Sequence, residues 1–341
     1  MYETMKPIGD PTPQKPDWWM NREPNLPTPR KKNSLSIAAL CVAVLALCLS
    51  VAALVMAWPG DEKPEPEPEV IVQPEVVFPE QGTYITYRNK QIPVQEQVGV
   101  NTLMPGGFAV NEQGWVTYES NGVTAVPGID VSAHQGEIDW EQVARSGIKF
   151  AMIRVGYRGY AEEGKLLLDA NYRRNIEGAL AAGLEVGVYF FSQATSIWEV
   201  EEELELYLSA IKGYDITYPV VFDWEHILNN VHSRTYTVSG QSISRMADFF
   251  CQAVKEAGYT PAVYFNQDLA YLYLDLERIE GNIFWLAEYD VRPGFYYHFD
   301  LWQYSCTGRV PGIEGDVDLN LSFRDFGKQD SVPGKGNGNE T

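Results

Sequence analysis

The chain has 341 residues, 45% hydrophobic and 13% aromatic, which is ample for a large buried core. Its formal charge of −20 excludes the clustered basic footprint that nucleic acid or anionic lipid requires. Four cysteines are too few for a disulfide-framed fold; Cys41 and Cys48 lie inside an apolar run, and the sequence leaves open whether Cys251 and Cys306 pair.

Residues 1–34 are rich in Pro and polar residues, lack sustained periodicity, and read as a disordered tail ending in Arg30-Lys31-Lys32. Leu35 to Trp58 carries no charge and is long enough to cross a bilayer as one helix. A cleaved signal peptide fits less well, because the preceding tail is long and the apolar run exceeds a usual signal-peptide core. The basic triplet on one side and Asp61-Glu62 on the other put the N-terminus in the cytoplasm and the bulk of the chain outside the cell membrane. Residues 59–79, with Lys63-Pro64-Glu65-Pro66-Glu67-Pro68-Glu69, read as an extended, self-repelling linker. Short alternating runs such as Tyr84-Ile85-Thr86-Tyr87 and Trp115-Val116-Thr117-Tyr118 make residues 80–126 a β-rich lead-in with no legible function.

From Gly128 the chain alternates strand and helix. Strands are expected at Gly128–Ser132, Phe150–Val155, Glu185–Phe191, Tyr218–Asp223, Pro261–Phe265, Ile283–Glu288 and Leu301–Tyr304. Helices are expected at Asp139–Ser146, Leu167–Ala182, Trp198–Lys212, Ser239–Ala257 and Leu269–Ile279, several ended by glycine. This alternation implies an α/β fold with a parallel sheet, open or closed, and little helix after Ile283. Residues 328–341 are Gly-rich and read as a second disordered tail.

Tyr218-Pro219-Val220-Val221-Phe222 is an apolar run that ends in Asp223-Trp224-Glu225. Strand alternation turns Asp223 and Glu225 to one face and Phe222 and Trp224 to the other. Asp130 and Asp318 are further acids where strands end, and on parallel strands all four would meet at one rim. Two carboxylates with pKa values pushed apart are the minimum equipment for glycoside hydrolysis, although acids at strand ends also cap helices or pair with arginine. Tyr189, Phe191, Tyr264, Trp285, Tyr289 and Trp302 lie near strand ends, where flat rings stack on sugars. The histidines His134, His226, His232 and His298 lack zinc-ligand spacing, and His226 reads as an exposed loop residue. Ser132 lacks a Gly-x-Ser-x-Gly setting, and there is no phosphate loop, so neither cofactor nor metal is expected. The five glutamates between Glu199 and Glu205 read as a solvated helix face.

Gly128-Ile129-Asp130-Val131-Ser132-Ala133-His134-Gln135-Gly136, followed by Ile138-Asp139-Trp140, resembles the opening signature of glycoside hydrolase family 25, the N-acetylmuramidase type of lysozyme. Tyr189-Phe190-Phe191, the run to Glu225, Phe284-Trp285-Leu286-Ala287-Glu288-Tyr289, Leu301-Trp302-Gln303-Tyr304 and Val317-Asp318-Leu319-Asn320 follow in the family's order. The resemblance covers residues 127–327 and implies an irregular β/α barrel that cuts the β-1,4 bond between N-acetylmuramic acid and N-acetylglucosamine in bacterial peptidoglycan. It implies Glu225 as general acid and Asp223 as stabiliser of the oxocarbenium ion or orienter of the 2-acetamido group. Asp130 and Asp318 would tune the central pair and bind substrate, with Tyr189, Trp285 and Tyr289 lining the groove. A non-catalytic wall-binding module that keeps the groove without turnover is the alternative. A chitinase-like hydrolase fits less well, because the residues before Asp223 lack that motif's further Asp and Gly.

Overall fold

The computed structural model describes residues 83–326 apart from 160, 228 and 229. Both expected tails, the apolar run 35–58 and the linker 59–79 lie outside those residues. Among the described residues no helix is long and apolar enough to cross a membrane.

The lead-in forms a hairpin, β1 (Tyr84–Tyr87) and β2 (Lys90–Pro93), and a three-stranded sheet of β3 (Phe108–Val110), β4 (Val116–Ser120) and β5 (Val123–Thr124). Neither sheet has a core of its own. Trp115 and Tyr118 are buried, and the Phe108 ring meets Trp302 edge-on at 5.6 Å. Gln95 closes the seam: its amide donates to the Leu274 carbonyl at 3.1 Å and accepts from the Leu276 N–H at 2.6 Å. A two-stranded hairpin is marginal alone, so this packing supplies its stability.

The remaining strands are β6 (Val126–Val131), β7 (Phe150–Arg158), β8 (Leu166–Leu168), β9 (Glu185–Ser192), β10 (Val220–Trp224), β11 (Pro261–Asn266), β12 (Ile283–Ala287), β13 (Leu301–Gly308) and β14 (Val317–Ser322). All except β8 close into an eight-stranded barrel, with β6 paired to both β7 and β14. Strands β6 to β13 run parallel around the barrel, whereas β14 is antiparallel to both neighbours. The helices are α1 (Trp140–Arg145), α2 (Tyr172–Ala181), α3 (Ile197–Ile211), α4 (Gly240–Glu256), α5 (Gln267–Leu272) and α6 (Leu276–Ile279). Side chains of Ser196 and Ser239 cap the first turns of α3 and α4, and Gly183 and Gly258, at φ of 78° and 87°, end α2 and α4 in the left-handed region. No helix separates β12 from β13, or β13 from β14.

Alternation along the strands produces two cores. Outward residues such as Val220, Phe222 and Trp224 pack under the helices, with the Phe222 ring 5.2 Å from Phe250 of α4. Inward residues Phe150, Met152, Tyr218, Val221 and Leu301 fill the lower barrel. The interior is too tight for a side chain on every strand: a Cβ at Gly187 would fall 2.4 Å from the Met152 sulfur.

Three expectations need correction. The single helix expected over Leu269–Ile279 is two, α5 and α6, interrupted at residues 273–275, where the Asp275 side chain caps α6 by accepting from the Arg278 N–H. The helix expected from Leu167 begins at Tyr172, because β7 runs beyond the barrel to Arg158 and its free edge takes up Leu166–Leu168 as β8. The glutamates of α3 are not all solvated: Glu203 is 2% exposed. It receives a 2.7 Å hydrogen bond from buried Arg158, whose charge at the end of β7 requires counter-ions inside the protein.

Candidate active site

The inward face of β10 carries Val221 and Asp223 upward, and Glu225 follows one step beyond the strand's end. In register, Asp223 lies level with Phe191 on β9 and Tyr264 on β11. Across the barrel Asp130 lies opposite Asp318 on the adjoining strand. These carboxylates share one rim for two different reasons. Asp130 and Asp223 sit near the C-terminal ends of parallel strands, but Asp318 is the second residue of a reversed strand that starts at the mouth. Had β14 been parallel, Asp318 would lie at the opposite end of the barrel.

Amide side chains hold the cluster. Asp130 Oδ2 accepts from Gln303 Nε2 at 2.8 Å and from Asn320 Nδ2 at 2.7 Å, and Asn320 Oδ1 in turn accepts from Trp285 Nε1 at 2.9 Å. Gln303 Oε1 also accepts from the hydroxyls of Tyr264 at 2.9 Å and Tyr289 at 3.1 Å. Buried Gln193 donates to the Glu225 carbonyl at 2.8 Å and so fixes the backbone that presents the acid. Arg154, the cation of the cleft, is tied to Asp169 at 2.8 Å.

Burial raises the pKa of all four carboxylates, and for Asp130, Asp223 and Glu225 repulsion from a neighbouring acid adds to it. Burial and then Glu225 and Asp130 push Asp223 well up, against the pull of Arg154. Burial and then Asp318 raise Asp130, opposed by the amide donors of Gln303 and Asn320. Glu225 is raised by burial and by Asp318, and Asp318 by burial to about 6. Acids raised by burial and by one another do not ionise independently, so the group holds protons above the ordinary carboxylate range.

Asp130, Arg154, Asp223, Glu225 and Asp318, with the rings of Tyr189, Phe191, Tyr264, Trp285 and Tyr289, enclose a cavity of about 210 Å³ open to solvent. Every expected site residue therefore faces it except Trp302. That ring points outward, fully buried against Phe108, and donates to the Glu288 carbonyl at 2.8 Å, because strand alternation turns its neighbour Gln303 inward instead. Arg154, Gln303 and Asn320 were not expected as site residues. Gln303 and Asn320 sit inside the motifs Leu301–Tyr304 and Val317–Asn320, and the two-residue step from Asp318 to Asn320 is the signal that marks a shared face. His226 is not an exposed loop residue: its ring packs edge-on between Trp224 and Tyr273, 4.8 and 4.5 Å from their centroids, and burial lowers its pKa. Cys251 and Cys306 are both free.

The model of the glycosyl hydrolases family 25 matches residues 129–313, more than half of the chain. The chain belongs to that family. The family 25 match spans Asp130, Asp223 and Glu225 and ends before β14, so Asp318 and Asn320 come from the segment just beyond it. An autolytic lysozyme of Clostridium acetobutylicum is 27% identical over 195 residues, 57% of this chain and 54% of its own length. The chain thus spans about half the length of that relative. Lysozyme M1 of Streptomyces globisporus is 28% identical over 241 residues, 67% of this chain and 78% of its own. The modular autolysin LytC of Streptococcus pneumoniae, solved with a synthetic peptidoglycan ligand, shares the fold at a TM-score of 0.51 and 21% identity, covering 71% of this chain and 61% of that one. By family the chain is similar to glycoside hydrolases of the lysozyme type.

Proposed function

We propose that the protein hydrolyses the β-1,4 bond between N-acetylmuramic acid and N-acetylglucosamine in peptidoglycan, from the outer side of the cytoplasmic membrane. The observation that carries this reading is the placing of Glu225 and Asp223 on one inward face, beside Asp130 and Asp318, in an aromatic-lined cleft. Glu225 gives its proton to the glycosidic oxygen while the C1–O bond breaks and its electron pair stays on that oxygen. Asp223 stabilises the positive charge that develops at C1, directly or through the substrate's 2-acetamido group. Water completes the cleavage and leaves a new reducing end. Asp130 and Asp318 keep the acid protonated by repulsion and bind sugar hydroxyls. Support for the location comes from the sequence pattern alone, the uncharged run 35–58 flanked by Arg30-Lys31-Lys32, which is what a span with a cytoplasmic N-terminus requires.

The full chain incubated with purified peptidoglycan should release new reducing ends, and Glu225→Gln should not. Sedimentation with the insoluble wall without release of muropeptides by the wild type would instead favour a wall-binding module.

A further inference from the structure

The lead-in reaches the catalytic rim. A second cavity, of about 300 Å³, adjoins the first and shares Glu225, Tyr264 and Tyr289 with it. Its outer wall is the turn of the β1–β2 hairpin, Tyr87 and Arg88, facing Asp268 and Glu288 of the barrel. Neither hairpin residue lies within the family match.

The turn is held there. Tyr87 donates its hydroxyl to Asp268 at 2.7 Å, Arg88 pairs with the other oxygen of the same carboxylate at 2.9 Å, and the Tyr87 ring packs on Tyr271 at 4.9 Å. Arg88 and Asn89 form the two-residue loop with φ of 47° and 61°. Asn suits that left-handed region, but Arg seldom adopts it, so the loop is not shaped for ease of turning alone. The Arg88 side chain remains 65% exposed, leaving guanidinium N–H groups free to donate toward the cavity.

We propose that the hairpin completes a subsite for the sugar on the leaving-group side of Glu225, a neutral N-acetylhexosamine unit. This inference rests on the hydrolase reading above for its orientation. Positive charge develops beside the aspartates of the first cavity, so the sugar across Glu225 from them is the one that departs when its oxygen is protonated. The wall chemistry fits such a ring. Arg88 is already balanced by Asp268, so the cavity holds no uncompensated cation for an anionic ligand. It offers instead phenol faces, guanidinium donors and the carboxylate oxygens of Asp268 and Glu288, the mixture that hydroxyls and an acetamido group require.

The test is calorimetric binding of peptidoglycan-derived disaccharide and tetrasaccharide to the full chain carrying Glu225→Gln, so that nothing turns over. The tetrasaccharide, which spans both cavities, should bind about tenfold more tightly than the disaccharide, and adding Arg88→Gly should remove most of that gain. Glycine suits the left-handed turn, so an unchanged melting temperature certifies the fold of the variant. A length-dependent gain that survives Arg88→Gly, or no gain with length, overturns the proposal. If the wild type binds these oligosaccharides but produces no reducing ends, the hydrolase reading fails while the binding comparison still decides the subsite.

Discussion

The acids at the barrel mouth and the glutamates of α3 are both drawn into the protein, but different groups face them. Arg158 and Arg234 meet the α3 cluster: Glu203 at 2.7 Å, Glu202 at 3.1 Å and Glu199 at 2.5 Å all contact a guanidinium. Burial, which favours a neutral guanidine, is outweighed for Arg158 by Glu203 and Glu202, so its pKa rises. Burial also pushes Glu203 up to about 7 against the pull of its arginine. At the mouth the acids face each other, amides and tyrosines, with Arg154 alone among the lining cations and already tied to Asp169. An acid matched by a base supports the fold. Acids gathered without one leave protons bound where they can be transferred, at a cost in stability.

Removing charge should therefore act in opposite ways on stability at the two clusters. The largest effect is expected at the mouth: Glu225→Gln removes the proposed proton donor and should lower kcat by about 10²–10⁴-fold on peptidoglycan, measured as reducing ends, with the fold intact. Next comes Arg158→Leu, which strands Glu203 in the interior and should cost about 3–5 kcal/mol in denaturant unfolding. Little change in that experiment would mean that α3 does not depend on the buried pair.

Asp223→Asn should do the reverse and raise the melting temperature at neutral pH while activity is lost. The Asp223 pKa is higher in the folded chain than its ordinary 3.8, so the native state binds this proton more tightly than the unfolded one. Its contribution to stability is then greatest below the ordinary value and declines as pH rises toward the folded value. Above that, the ionised carboxylate destabilises the fold, and the amide should relieve on the order of 1 kcal/mol. The smallest effect sharpens the comparison through pH. Asp318 helps to raise Glu225, so Asp318→Asn should move the alkaline limb of the kcat/KM profile to lower pH, because the acid then loses its proton earlier. A limb that stays in place would show that burial alone tunes Glu225.

Much of this was legible in the residues. The apolar run ending at Asp223-Trp224-Glu225 fixes a buried strand and, through alternation, which acids share a face. Glycine signals placed the ends of several helices, and the lack of helix after Ile283 was visible in the spacing. The errors came where a neighbour decides the outcome. Trp302 and Gln303 are equally plausible as groove residues until the pleat assigns one to each side. Glu203 looks like its exposed neighbours until Arg158, 45 positions earlier, is found beneath it.

By itself the sequence determined the β/α alternation, the family and the acids Asp130, Asp223, Glu225 and Asp318, because local periodicity and motif order are properties of neighbours along the chain. Only the tertiary structure decided that β14 runs backward and so delivers Asp318 to the rim, that amides from β13 and β14 clamp Asp130, and that the hairpin at Tyr87-Arg88 stands beside Glu225. Each of those depends on strand direction or on contacts between distant segments, which no local pattern encodes.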